Sequence, residues 1–488
     1  MNSQSTNNLP SGWTITNLGS IISKISNGIT HKQTKTNHGI PVTRIETISN
    51  GIIDLDRVGY LSEVSDDLIE KYKLESGDIL FSNINSDFHL GKTAIFTFDI
   101  LLLHGMNLLL LRPNKEIIIP KFLNYLCNWL RFSGIFISLA QHAVNQSSIN
   151  QTKVSILKIP LAPLKEQKRI VSKLEELFTK LDAGIEYLKK TQTLLKQYRQ
   201  SVLKHAFEGK LTEKWREENK REFCPSEKLF DKLKNKSEYS KRTDVIEAKR
   251  LSNGWISTKL GYICELNSGQ HILENNYNRQ GKGIPYITGP ADFTRLYPTI
   301  SKWTEKPKAI ARKDDVLITV KGAGVGKVNI LNMDNVSISR QLMAIRANLN
   351  PLFIFYYLYY NFYNLQKLGL GSTVPGIDRK SILNIDFLLP SSEEQKKIVL
   401  EIENKFSIIE NNNHILTSCI RYSNKLRQSV LKIAFEGKLV PQDPNDEPAS
   451  VLLEKIKNER EFNIPFKKEK SKMTQNKSTH DSKQMRLM

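Results

Sequence analysis

One stretch of this chain is written almost letter for letter twice. RQSVLKHAFEGKL begins at Arg199 and RQSVLKIAFEGKL at Arg427, and they differ only at His205 against Ile433. An internal repeat constrains a fold more than composition does, because each copy implies the same supersecondary unit. Other pairs extend it in the same order. GWTITNLGSI at Gly12 answers GWISTKLGYI at Gly254, GIPVTRI at Gly39 answers GIPYITG at Gly283, and SGDILFS at Ser76 answers KDDVLIT at Lys313. LGKTAIF at Leu90 matches VGKVNIL at Val325, EQKRIV at Glu166 matches EQKKIV at Glu394, and PSEKLFDKLK at Pro225 resembles PASVLLEKIK at Pro448. The 488 residues, too many for one ordinary core, therefore read as two copies of module, long helix and trailing segment.

The modules, residues 10–160 and 253–388, alternate short β-rich runs such as GDILFS and DVLITV with Gly, Asn, Asp and Pro punctuation, which predicts mixed α/β domains in an α+β protein. Residues 161–210 and 389–440 are rich in Glu, Lys and Leu, and predict long helices. In the first, Ile170, Leu174, Leu177, Leu181, Gly184, Leu188, Thr191, Leu195, Tyr198 and Val202 alternate by fours and threes, the seam of a coiled coil. In the second, Ile398, Ile402, Ile409, Leu416, Leu426 and Val430 continue that stripe, interrupted by Lys405, Asn412 and Ser423. Two such rods packed together would hold two modules a fixed distance apart; the alternative is that each helix packs only on its own module. Residues 211–252 read as a charged helical connector, 441–466 as a trailing helical segment, 1–9 as a disordered N-terminus and 467–488 as a basic disordered tail.

Lys and Arg number 71 against 50 Asp and Glu, a formal charge of +21 that predicts a polyanionic partner, nucleic acid before an acidic membrane surface. Cys127, Cys224, Cys264 and Cys419 lie far apart without ligand spacing, so we expect a reducing compartment and no structural zinc. No signal peptide opens the chain and its apolar runs are too short to span a bilayer, which together predict a cytoplasmic protein. There is no D/N/S-P-P-Y/F/W methyl-transfer motif; NPLF at Asn350 lacks the second proline. KGAGVGKV at Lys321 fails the phosphate-loop pattern and reads as a glycine turn between strands. No bond-making chemistry is expected of this chain, and binding remains.

For DNA, the Gly91-Lys92 and Gly326-Lys327 turns place a lysine where it could reach phosphate, with glycine allowing close approach. Aligning HGMNLLLLRP with SRQLMAIRA sets Asn107 against Gln341 and Arg112 against Arg346. Asn and Gln can bond adenine in the major groove and Arg340 could read guanine, although short polar residues at a strand start also simply form turns. Arg44 and Lys321 complete the candidate DNA contacts. In the repeated stretch Val202, Leu203, Ala206 and Phe207 form an apolar face, with Gly209 as a helix cap. Packing alone would not hold Gln200, Ser201, Lys204, Glu208 and Lys210 identical to Gln428, Ser429, Lys432, Glu436 and Lys438. Both copies are therefore expected to present one surface to two copies of a partner, or to each other, through Gln200, Lys204, Phe207, Lys210, Gln428, Lys432, Phe435 and Lys438.

With IPLAPLKEQKRIV, RQSVLKHAFEGKLTEKWRE and FEGKLVPQDPNDEPASVLL in place, the chain resembles the specificity subunit of type I restriction-modification systems, from Gly12 to about Arg460. The resemblance implies two target recognition domains in pseudo-twofold arrangement, separated by two long antiparallel coiled-coil helices that act as a ruler between the halves of a bipartite DNA target. It implies two modification subunits as partners, which methylate adenine with S-adenosylmethionine, and ATP- and Mg-dependent restriction subunits; those cofactors belong to the partners. The competing readings are a free-standing DNA-binding regulator and an enzyme fused to its own recognition module, the latter opposed by the missing methyl-transfer motif.

Overall fold

The computed structural model describes residues 9–34, 38–144, 146–219, 226–235, 237, 239–240, 247–369 and 376–462. The expected basic tail and all but the last residue of the expected N-terminal disorder lie outside them. The chain forms two compact units: residues 1–186 with 420–488, and residues 187–419. Each unit owns one module, the start of one long helix and the end of the other.

In the first unit the module is built on a four-stranded antiparallel sheet ordered Ile22–Asn27, Leu109–Pro113, Ile79–Phe81, Thr93–Ile95. The second unit repeats the order with Glu265–Ser268, Leu342–Arg346, Val316–Thr319 and Val328–Ile330. In both, the segment that opens the module pairs with the one that closes it: Thr14–Asn17 with Lys158–Leu161, and Ile256–Lys259 with Asp386–Leu389. The expected helical connector contributes the helices Glu213–Glu218 and Ser226–Lys234 but also a strand, Ala248–Arg250, which extends this last sheet.

An ion pair is buried at the same place in each sheet. Asp78 is 1% exposed and accepts two hydrogen bonds from Arg112, both at 2.8 Å; Asp315 is 2% exposed and accepts two from Arg346 at 2.9 and 2.7 Å. Charges this deep persist only when paired, which accounts for the aligned arginines without DNA.

The long helices run Leu164–Phe207 and Ser392–Phe435, 44 residues each. At 1.5 Å per residue each is about 66 Å long. Their starts are pinned by the same residue type in the same place. Gln167 donates to the carbonyls of Ile117 and Ala162 and accepts from the Ile119 amide, while Gln395 donates to Pro390 and accepts from the Asn350 amide. Ile119 and Asn350 directly precede the module helices Pro120–Phe132 and Pro351–Tyr360. The adjacent acid receives the segment that follows the other long helix. Glu394 accepts from Trp255 Nε1, Thr212 Oγ1 and Arg216 Nε, and Glu166 accepts from Gln442.

The two helices are antiparallel where the second unit contains both: Gln192 donates to Thr417 and Arg199 to Glu410, so the partner falls by one step for each step gained. The predicted seam opens at Gly184, which is exposed, and at one repeated position. Tyr198 and Leu426 are 48% and 51% exposed, and Arg199 and Arg427 turn inward instead. A helical heptad ranks residues by apolarity, whereas an arginine stem buries well when its guanidinium finds a ring and an acid.

The helices end as the repeat predicts. Gly209 and Gly437 adopt φ of +75° and +68°, and the amides of Lys210 and Lys438 reach back to His205 and Ile433. Only a residue without a Cβ takes this cap cheaply. Phe207 and Phe435 depart from expectation. Each is 2% exposed: Phe435 lies against Phe122 and Trp129 of one module helix, Phe207 against Phe353, Tyr357 and Tyr360 of the other. Their rings serve the chain's own core, so neither is available as a partner contact.

Candidate nucleic-acid interface

In the first module two loops distant in sequence are fastened together. The Gly105 amide donates to Thr43 Oγ1 at 2.8 Å and the Thr43 amide to the Leu103 carbonyl at 2.9 Å. That joins the loop carrying Arg44 to the loop carrying Asn107. The second module does the same with other residues: the Ser339 amide donates to Ile287 O at 3.0 Å and Ser339 Oγ to Thr288 O. Arg340 and Gln341 follow directly, and the Val320 amide bonds the Gln341 carbonyl, bringing Lys321 to the same end of the sheet. The scaffold is shared while the side chains it displays differ.

Asn107 is exposed with φ of +65°, so it forms the turn and also faces solvent. Lys321, Lys327, Arg340 and Gln341 are exposed. Arg44 is half-buried and paired with Glu46 at 2.8 Å. Lys92 differs from its expected role: its ammonium donates to the Ser49 carbonyl and lies over the Phe88 ring, and burial with the nearby Arg131 charge holds it below the usual lysine range. It is committed to the chain rather than offered to phosphate. The adjoining glycines also have an internal cause, since a Cβ on Gly91 would meet the Phe136 ring at 2.5 Å, and on Gly326 it would crowd Leu365 and Phe362.

Sequence reasoning did not find Lys302, which donates to Thr288 Oγ1 at 3.2 Å and stands over the Tyr277 ring beside the Arg340 loop. The pairing of Trp303 with Pro285 places it there, and no local pattern marks it. The residues expected to face a partner, Gln200, Lys204, Lys210, Gln428, Lys432 and Lys438, are exposed, and among the described residues the lysines pair with the neighbouring Glu208 or Glu436.

His104 fixes the Asn107 loop from beneath. It is fully buried, and its Nε2 donates to the Leu108 carbonyl at 3.0 Å. Burial pushes its pKa down to about 4 from an ordinary 6.5. The unfolded chain takes up a proton below pH 6.5 while the folded one resists until about 4, so stability is full above 6.5 and falls across that window. The loss is at most about 3 kcal/mol. Urea unfolding followed from about pH 7 to 4.5 should show this slope, and H104Q should flatten it.

Among the described residues no group of three or more His, Cys, Asp or Glu is placed to hold a metal, and no helix is long and apolar enough to cross a membrane.

Comparison with known proteins follows this architecture. The model of the type I restriction modification DNA specificity domain matches residues 10–193 and again 252–418. The chain belongs to that family: it is a type I specificity subunit with two such domains, the non-catalytic DNA-recognition subunit of a type I complex. It is 36% identical over 437 residues to a MjaX type I restriction enzyme specificity subunit of Methanocaldococcus jannaschii, covering 88% of this chain and 94% of that protein. The EcoKI specificity subunit of Escherichia coli is 26% identical over 484 residues, covering 93% and 96%. Among solved structures, a chain from work on assembly and conformational transition of the type I system aligns with a TM-score of 0.66 at 24% identity, over 88% of this chain and 99% of that one. The HsdS subunit of Thermoanaerobacter tengcongensis aligns at 0.53 and 24%, over 88% and 98%, and shares the fold.

Proposed function

We propose that the first module reads one half of an asymmetric bipartite DNA sequence and the second module the other, with the long helices setting the unread spacer. The observation that carries this is the pair of fastened loops on one shared scaffold: Arg44 and Asn107 in one, Lys321, Arg340 and Gln341 in the other. Same fold with different displayed side chains is what two unlike half-sites require. Lys327 joins these as a phosphate contact.

The repeated exposed residues Gln200, Lys204 and Lys210, with Gln428, Lys432 and Lys438, dock two copies of one modification subunit. Those partners carry S-adenosylmethionine and methylate adenine; restriction subunits, with ATP and Mg, join the same assembly, and the complex works in the cytoplasm. The test is to replace residues 253–388 by the matching module of another family member, co-express the modification subunit and sequence the methylated sites. One half of the methylated sequence should change and the other persist; an unchanged site overturns the proposal.

A further inference from the structure

The first residue of the duplicated stretch builds the same contact in both units. The Arg427 guanidinium lies 4.4 Å from the centroid of the Phe178 ring and pairs with Asp182. Arg199 lies 3.9 Å from the Phe406 ring and pairs with Glu410 at 3.4 Å. Against each phenylalanine a module helix also contributes a tyrosine in a T-shaped ring pair: Tyr125 with Phe178 at 5.6 Å, Tyr356 with Phe406 at 5.7 Å. Arginine from one long helix, phenylalanine and acid from the other, and tyrosine from the module therefore meet at one point in each unit. This is the position where the seam leaves its heptad and exposes Tyr198 and Leu426.

A flat cation between a ring and a carboxylate is directional in a way an aliphatic seam contact is not. It fixes both the axial register of one helix on the other and the seat of the module helix upon them. The seat is tied to the module sheet: beside Tyr125, Asn124 accepts from Thr93 Oγ1 at 2.7 Å, on the strand Thr93–Ile95. In the second unit Arg295, from the loop preceding the Trp303–Thr304 strand, also pairs with Glu410.

We infer that Arg427 with Phe178, Tyr125 and Asp182, and Arg199 with Phe406, Tyr356 and Glu410, are positioning latches that determine how strictly the protein discriminates the spacer between its two half-sites. The inference rests on the proposed reading of the helices as the spacer element.

The test uses the full complex with its modification subunits and duplexes carrying the native spacer or one base pair more or less. With both R199Q and R427Q in place, methylation of altered-spacer DNA relative to native-spacer DNA should rise about tenfold, the scale set by losing a desolvated cation–π contact. A merely structural loss would lower all three substrates together and leave the ratio unmoved. An unmoved ratio overturns the inference. If the doubly altered chain does not fold, R199Q and R427Q are read singly by the same ratio, and no change in either overturns it. Inserting one heptad into each helix of the parent complex separates the two levels. A shifted preferred spacer upholds the helix reading whatever the latches do, and an unshifted one rejects that reading itself.

Discussion

Raising the salt from about 50 to 200 mM is expected to weaken binding of the assembled complex to its duplex by on the order of 10³ to 10⁵, as counterions return to about 6 to 10 phosphates. The formal charge of +21 supplies the attraction, and the exposed Lys321, Lys327 and Arg340 put part of it beside the fastened loops of the second module. Anisotropy of a labelled duplex, measured at stepped salt, gives the slope of log affinity against log salt. K327A should lower that slope by about one, as the loss of one phosphate contact does. K92A should leave it nearly unchanged, because that ammonium already serves the Ser49 carbonyl. A slope near zero in the parent would remove the electrostatic account altogether.

The second large effect is on stability. F435A and F207A should each cost about 3 to 5 kcal/mol, the loss expected when a buried phenylalanine leaves a cavity among rings that cannot collapse. The damage should fall on the module each ring packs against, not on the one that precedes its helix. Phe207 ends the helix that follows the first module yet packs on Pro351–Tyr360 of the second, and Phe435 ends the helix that follows the second yet packs on Pro120–Phe132 of the first. Hydrogen exchange resolved by segment checks this. F207A should expose amides of residues 351–360 while sparing 120–132, and F435A the reverse. Loss confined to the module that precedes the altered helix would contradict the packing.

Much of this architecture was legible in the residues because duplication marks boundaries twice. The EQK motifs lie at the helix starts and Gly209 and Gly437 at the caps, and the glycine caps depend only on local backbone chemistry. What could not be read depends on contacts between distant segments. Nothing near Phe207 says that its ring meets Phe353 rather than a partner. Arg199 and Arg427 look like solvent-facing charges to any count of apolar spacing, yet their stems occupy the seam. Lys92 resembles Lys327 in its glycine turn and differs only because Ser49 happens to lie within reach. Arg44, Asn107, Lys321, Arg340 and Gln341 could be picked out one by one in the sequence, but the juxtaposition of their loops through Thr43 and Gly105, or Thr288 and Ser339, required the fold.

The division of the chain also has a consequence for how it is made. Residues 187–419 form one unbroken segment, whereas the other unit needs residues 1–186 and then 420 onward. A ribosome therefore delivers everything the later-encoded unit requires before it finishes the earlier-encoded one. Until Val430, Leu431, Ala434 and Phe435 emerge, the faces of Phe122 and Trp129 that meet Phe435 stay uncovered by it. Exposed apolar surface on a nascent domain is what chaperones hold and what aggregation exploits. The module encoded first is thus the last to close, and the residues after 419 decide whether it does.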